Sequence, residues 1–248
     1  MASAGATGRG QQAALSDARQ AARPSTEEIA RYKREAAYAA AEEVQDGMRL
    51  GLGTGSTVAY LLQALGERAS SLSGLRCAAT SPSTEATARS LGLAVVSLDE
   101  LGELDLAIDG ADQVDPDCWL VKGGGAAHTR EKIVAATARR FVVIVSAEKL
   151  VERITPPIPL ELVPFAAHTT LRTLGQATLR AVPPSPDGGL IADYLGEVKD
   201  PAALAVRLSE QPGVVEHGLF APEMVSSVVI AGAAGIERRD GAKAADRR

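Results

Sequence analysis

Cysteine is scarce: Cys77 and Cys118 are the only two in 248 residues, and they lie too far apart for a CxxC pair. That excludes a disulfide scaffold and a zinc knuckle, and leaves both as small buried apolar residues. Histidine is nearly as rare, and His128, His168 and His217 show no spacing that puts two on one helix face, so no metal cage is expected. No apolar run approaches the ~20 residues that span a bilayer, and no secretory apolar region follows the start, so the expectation is a cytoplasmic enzyme with no membrane partner. A basic excess is missing too. The net charge of -5 argues against a nucleic-acid partner, because neutralising phosphates calls for a basic face.

What is abundant is apolar material, 46% of the chain, ample for a core. Residues 1–24 are rich in Ala, Gly, Gln and Arg without an apolar period, and are expected to be a disordered tail. An organelle transit peptide is the weaker reading, because Asp17 interrupts a poor amphipathic stripe. Order is expected from Ser25, which forms an S-x-x-E capping box with Glu28 ahead of an Ala-rich helix running to about Val44 and stopping at Gly47. Strand and helix patterns then alternate. "MRLGLG", "LRCAAT", "LAVVSL", "LDLAID", "CWLVK" and "FVVIVS" predict strands, while "STVAYLLQAL", "SPSTEATARSLG" and "TREKIVAATARR" predict helices. In the second helix Ser81 serves as N-cap, Pro82 as first residue and Gly92 as C-cap.

Such repeats imply an α/β fold, a Rossmann-like and mostly parallel sheet with helices on both faces, over residues 25–154. Four prolines between Thr155 and Phe165 mark a linker or the start of an edge strand. A smaller α+β domain is expected over 155–221, a strand returning to the first sheet over 222–236, and a frayed tail over 237–248.

Three loops carry chemistry. "GLGTGST", Gly51 to Thr57, lies at a strand-to-helix junction, where helix amides and the Thr54, Ser56 and Thr57 hydroxyls suit a phosphate. No Lys precedes Ser56 as a Walker loop requires, the third glycine of a dinucleotide fingerprint is absent, and "LRCAAT" ends without a ribose-binding acid, so a phosphomonoester fits better. Alone, the same glycines serve equally as a tight turn packing helix on strand. In "IDGADQVD", Asp109 and Asp112 follow a strand at the end where open α/β sheets bind ligands, and carboxylates there can pass protons to sugar hydroxyls. Asp115 and Asp117 instead cap turns. In "LVKGGGAAHTREKIVAA", Lys122 and the amides of Gly123 to Gly125 suit developing negative charge on an oxygen, with Glu131 as a base. Taken singly, Glu131 equally suits a solvated helix face, paired with Arg130 or Lys132. Lys33 and Lys149 sit at element edges within reach of a phosphate.

Together, "GLGTGSTV", "TSPST", "DLAIDGADQVD", "KGGGAAHTREKIVA" and the late "PGVVEHGLF" resemble the type A ribose-5-phosphate isomerase family in order and spacing, over roughly residues 25–232. The resemblance implies interconversion of ribose 5-phosphate and ribulose 5-phosphate through a cis-enediolate, with Glu131 moving the proton between C2 and C1. Asp109, Asp112 and Lys122 would handle sugar hydroxyls, ring opening and oxyanion charge. Thr54, Gly55, Ser56, Thr57, Gly110, Ala111 and Gly123 to Gly125 would bind the substrate, with Lys33 and Lys149 as further contacts. It implies no metal, no organic cofactor, and a homodimer or homotetramer.

Two departures stand out. His128 replaces the family's usual apolar residue, which means either an altered pocket or a helix cap, and "LRTLGQATLRAVPPSPDGGLIADY" is shortened, with the family's "TDNGN" turn reduced to "SPDGG". That stretch is expected to support assembly more than chemistry. Competing readings are an isomerase for another sugar phosphate, a non-catalytic sugar-phosphate sensor, and an amino-sugar-phosphate deaminase. The tail is too short and polar for a helix-turn-helix, a pure sensor has no use for Glu131, and a deaminase would be expected to supply a catalytic histidine, for which only His128 is in place.

Overall fold

The structure is a computed structural model that describes residues 24–245. The expected N-terminal tail lies almost wholly outside the described residues. Helix α1, Thr26–Ala41, opens with the predicted capping box, in which Ser25 Oγ accepts from the Glu28 amide and Glu28 returns the bond to the Ser25 amide. It ends three residues before Val44, and Gly47 takes the positive φ of a turn beyond it.

The chain continues with β1 (Arg49–Leu52), α2 (Ser56–Gly66), β2 (Arg76–Ala79), α3 (Pro82–Ser90), β3 (Ala94–Val95), α4 (Leu98–Leu101) and β4 (Leu106–Asp109). Next come β5 (Gln113–Val114), β6 (Leu120–Val121), α5 (His128–Thr137) and β7 (Phe141–Ser146). The remainder is β8 (Ile158–Leu162), α6 (Ala167–Leu174), β9 (Ala177–Leu179), β10 (Leu190–Tyr194), α7 (Pro201–Ser209), β11 (Val214–His217), β12 (Leu219–Phe220), β13 (Ser227–Gly232), β14 (Gly235–Asp240) and α8 (Ala242–Ala245).

The main sheet has the order β14-β13-β7-β4-β1-β2-β3 and is parallel except at β14. Both faces are covered. Along β7, Val142 and Ile144 pack into the core under α1 and α2, while Val143 and Val145 face the core that contains Val134 and Ala135 of α5. Such two-sided burial is why "FVVIVS" is apolar throughout. From β1 the chain runs outward to β2 and β3, then returns to the other side of β1 as β4, so strand order reverses between β1 and β4. Ligands of open α/β sheets bind beyond the carboxyl ends of the strands at such a reversal.

A four-stranded antiparallel sheet, β11-β8-β10-β9, has its own core of Ile158, Leu160, Leu162, Leu204 and Leu208. Here the proline-rich stretch departs from expectation, because β8 is an internal strand with partners on both sides. Pro159 lies beyond Leu160, the last residue that β11 pairs, so its missing N–H falls outside that ladder. The strand "CWLVK" is also displaced from the main sheet: β6 joins β5 and β12 in a small antiparallel sheet of its own.

The expected frayed tail from Glu237 is instead part of β14, paired along its length with β13. Arg238 binds the Glu43 carboxylate and Arg239 donates to the Asp115 carbonyl at 3.3 Å. An edge strand exposed at nearly every position carries no hydrophobic alternation, so its sequence looks like a tail.

Candidate active site

The loops that follow β1, β2, β4, β6 and β7 converge at the carboxyl end of the main sheet. Gly55 has φ 121°, a conformation that favours glycine, and it starts α2 with the helix amides facing the cleft. Gly53 is constrained differently, because a Cβ there would lie 1.9 Å from Asp109 Cγ. Only hydrogen fits between the two loops.

Asp109 ends β4 fully within the protein. Its Oδ1 accepts from the amides of Thr54 at 3.1 Å and Gly110 at 2.7 Å, while Oδ2 lies 2.8 Å from Lys122 Nζ. The same ammonium donates to the Gly110 carbonyl at 2.6 Å and stands 3.1 Å from Glu131 Oε2. Both flanking side chains are no more than 4% exposed. Glu131 lies on the first turn of α5, four residues after Ala127, and is buried facing Lys122 rather than on a solvated face. Among the described residues no donor is aligned for a hydrogen bond on Glu131 Oε2, so its contact with Lys122 is ionic.

This cluster brings two carboxylates and one ammonium out of water. Burial, with Asp109 nearby, pushes the Glu131 carboxyl above the ordinary carboxylate range, and Lys122 only partly offsets it. Asp109 is raised as well by burial, against the opposing pull of Lys122 and its two amides. The carboxylates hold Lys122 firmly protonated despite its burial.

Every residue singled out in the sequence as a site candidate, except Asp109, lines one cleft of about 220 Å³. Lys33, Thr54, Gly55, Ser56, Thr57 and Lys149 line it together with Gly110, Ala111, Asp112, Lys122, Gly123, Gly124, Gly125 and Glu131. Asp109 sits one layer behind, against Lys122. Lys33 Nζ donates to Ser56 Oγ at 3.0 Å, which places an ammonium beside the start of α2. Asp112 Oδ2 accepts from the Gly124 amide at 2.8 Å. A larger cleft of about 900 Å³ opens near Ile133 and Val163, but it gathers no comparable set of buried charges.

Three contributions were not assigned from the sequence. Thr80 Oγ1 lies 2.7 Å from Thr54 Oγ1, and Thr84 Oγ1 donates to the Gly53 carbonyl at 2.9 Å, so "TSPST" buttresses the phosphate-type loop. Its hydroxyl density was the available signal. Arg180, the residue that follows β9, donates to the Gly123 carbonyl at 2.9 Å, and nothing local in the sequence points to that contact. His128 neither caps α5, whose N-cap is Ala127, nor lines the cleft. It is fully buried behind Gly123, and burial lowers its pKa to about 4, which keeps it neutral.

The family of Ribose 5-phosphate isomerase A (phosphoriboisomerase A) matches residues 76–235. The ribose-5-phosphate isomerase A of Nitrobacter hamburgensis is 43% identical over 229 residues, covering 84% of this chain and 97% of that protein. The chain belongs to the ribose 5-phosphate isomerase A family. Among solved structures, ribose 5-phosphate isomerase A from Methanocaldococcus jannaschii superposes with a TM-score of 0.80 at 34% identity, covering 84% of this chain and 98% of that one. A D-ribose-5-phosphate isomerase in complex with phospho-erythronic acid gives a TM-score of 0.81 at 33% identity, covering 86% and 99% respectively. Membership in the isomerase family accords with the cleft, since the match includes "DLAIDGADQVD" and "KGGGAAHTREKIVA" in full.

Proposed function

We propose that this ribose 5-phosphate isomerase A family member interconverts D-ribose 5-phosphate and D-ribulose 5-phosphate through a cis-enediolate. The observation that carries the reading is the buried Glu131 carboxylate beside the Lys122 ammonium, at the wall of a cleft that is also lined by Lys33, Lys149 and the start of α2. The 5-phosphate binds against those cations and helix amides, which directs C1 and C2 toward Glu131. Glu131 removes the proton from C2 of the open-chain aldose, and the electron pair moves into the C1–C2 bond as charge develops on O1. Lys122 and the glycine amides stabilise that oxygen. Glu131 returns the proton to C1, while the O2 proton is lost and O1 gains one, with Asp112 placed to relay between them. Asp109 acts through Lys122, holding the ammonium in place.

None of these steps calls for a metal or an organic cofactor. Within this reading, residues 25–154 with 222–236 carry the chemistry, 155–221 form the smaller α+β unit, and the enzyme works as a cytoplasmic homodimer or homotetramer. Among the described residues no helix is long and apolar enough to cross a membrane.

Isomerisation run in deuterium oxide tests the route. Solvent deuterium in the recovered sugars is the expected result of proton transfer through Glu131, and Glu131→Gln is expected to lower conversion and exchange together, whereas conversion at the wild-type rate in Glu131→Gln contradicts the enediolate route.

A further inference from the structure

The peptide between Gly123 and Gly124 is gripped at both ends. Its N–H donates to Asp112 Oδ2 at 2.8 Å, and its carbonyl accepts from Arg180 Nη1 at 2.9 Å. Arg180 Nη1 also approaches the carbonyl of the next peptide, at Gly124, at 3.4 Å. In a trans peptide the N–H points opposite to the C=O, so fixing these two carbonyls directs the Gly124 and Gly125 amides away from Arg180. Both glycines line the cleft, as do Lys122 and Glu131.

A glycine run is poorly suited to hold such an orientation unaided. Gly123 adopts φ 109° and Ala126 adopts φ 60°, and a chain of glycines reorients its peptides at little steric cost. The guanidinium is itself locked. Arg180 Nε donates to Asp193 Oδ2 at 3.0 Å, Nη2 binds Asp193 Oδ1, and both side chains are largely buried. Asp193 lies on β10, paired with Thr178 of β9, so the clamp is anchored in the four-stranded sheet rather than the main one.

We propose that Arg180, held by Asp193, is a positioning residue for the isomerisation: it fixes the two peptides from Gly123 to Gly125 so that the Gly124 amide stays on Asp112 and the Gly125 amide meets the charge that develops on the substrate oxygen. The inference rests on the function proposed above and deepens it. It also gives the shortened second half a part in the chemistry, where the sequence suggests assembly. A positive group behind the carbonyls further polarises the peptides and strengthens their amides as donors.

Kinetics of three variants, Arg180→Lys, Arg180→Gln and Asp193→Asn, test the assignment, with thermal melts to give the folded fraction of each. Loss of one oxyanion donor costs about 100-fold or more in kcat, so Arg180→Gln, which misorients donors without deleting them, is expected to lower kcat about 10- to 100-fold. KM is expected to change by less than about threefold, because ground-state binding is retained. Arg180→Lys keeps the charge and recovers part of the rate, and Asp193→Asn falls between. Phospho-erythronic acid, whose carboxylate resembles the enediolate, should bind Arg180→Gln more weakly by a factor similar to the kcat loss. The inference is overturned if both Arg180 variants keep wild-type kcat, if the loss lies in KM alone, or if it vanishes on normalising to folded protein. A wild-type chain that does not convert ribose 5-phosphate defeats the proposed function itself, which separates the two failures.

Discussion

Lys122 Nζ lies 3.1 Å from Glu131 Oε2 in a region where both side chains are almost fully buried. Neither would be stable there alone. An unpaired buried charge costs several kcal/mol, and a pair without aligned hydrogen bonds recovers only part of that. The arrangement makes sense as a site that keeps a carboxylate weakly solvated and basic, next to a cation that waits for charge on the substrate.

The pH dependence of kcat/KM follows from that pair. Glu131 acts as a base only when ionised, and burial raises its pKa above that of an ordinary carboxylate. The rate is therefore low in acid and rises with pH through an apparent pKa above the usual value of about 4.3 for glutamate. Lys122 stays protonated across that range, because Asp109 and Glu131 raise its pKa further. A profile already flat at pH 5 would show that Glu131 is not the titrating base.

Removing the base while keeping its shape isolates the chemical step. General base catalysis contributes about 100- to 10,000-fold, so Glu131→Gln is expected to lower kcat by about three orders of magnitude with KM nearly unchanged. Steady-state kinetics on both sugar phosphates check this.

Gly53→Ala tests the contact between the first two loops. The added Cβ would stand 1.9 Å from Asp109 Oδ1, and backbone on one side and the Lys122 ion pair on the other leave Asp109 no free path. Displacing this layer by about 1 Å is expected to cost on the order of 100-fold in kcat, with a lowered melting temperature. Gly55→Ala carries a different burden, since its Cβ would meet nothing within 4 Å beyond its chain neighbours but φ is 121°. It should cost chiefly stability.

Lys33 and Lys149 separate binding from chemistry. Each lines the same cleft as Glu131, and a hydrogen bond to a charged phosphate contributes about 1.5–3 kcal/mol. Lys33→Met and Lys149→Met are each expected to raise KM about tenfold or more, to change kcat by less than about threefold, and to weaken the salt dependence of KM. A loss confined to kcat would move these lysines out of the phosphate site.

The parts of this molecule that were legible in the sequence are those with local causes. The capping box at Ser25, the start of α3 at Ser81 and Pro82, and the apolar runs of β4, β7 and β13 all announce themselves within a few residues. Two of the three glycine-rich and acidic loops share a cleft because each follows a strand of the main sheet at its carboxyl end, the third follows β6 of the small sheet beside them, and the order of the matched motifs made that grouping specific. What could not be read depends on distant partners. Glu131 looks like a surface helix residue until Lys122 is placed against it. β14 gives no pattern because it is exposed on an edge. Arg180 reaches a carbonyl 57 positions away, a contact that no spacing rule encodes.

The most direct test of the account is an assay of the purified chain with ribose 5-phosphate in the presence of a chelator, following formation of ribulose 5-phosphate. The account predicts rapid conversion that the chelator leaves unchanged and that Glu131→Gln lowers by about three orders of magnitude. Absence of conversion by a folded chain, or a rate that Glu131→Gln does not alter, would contradict it.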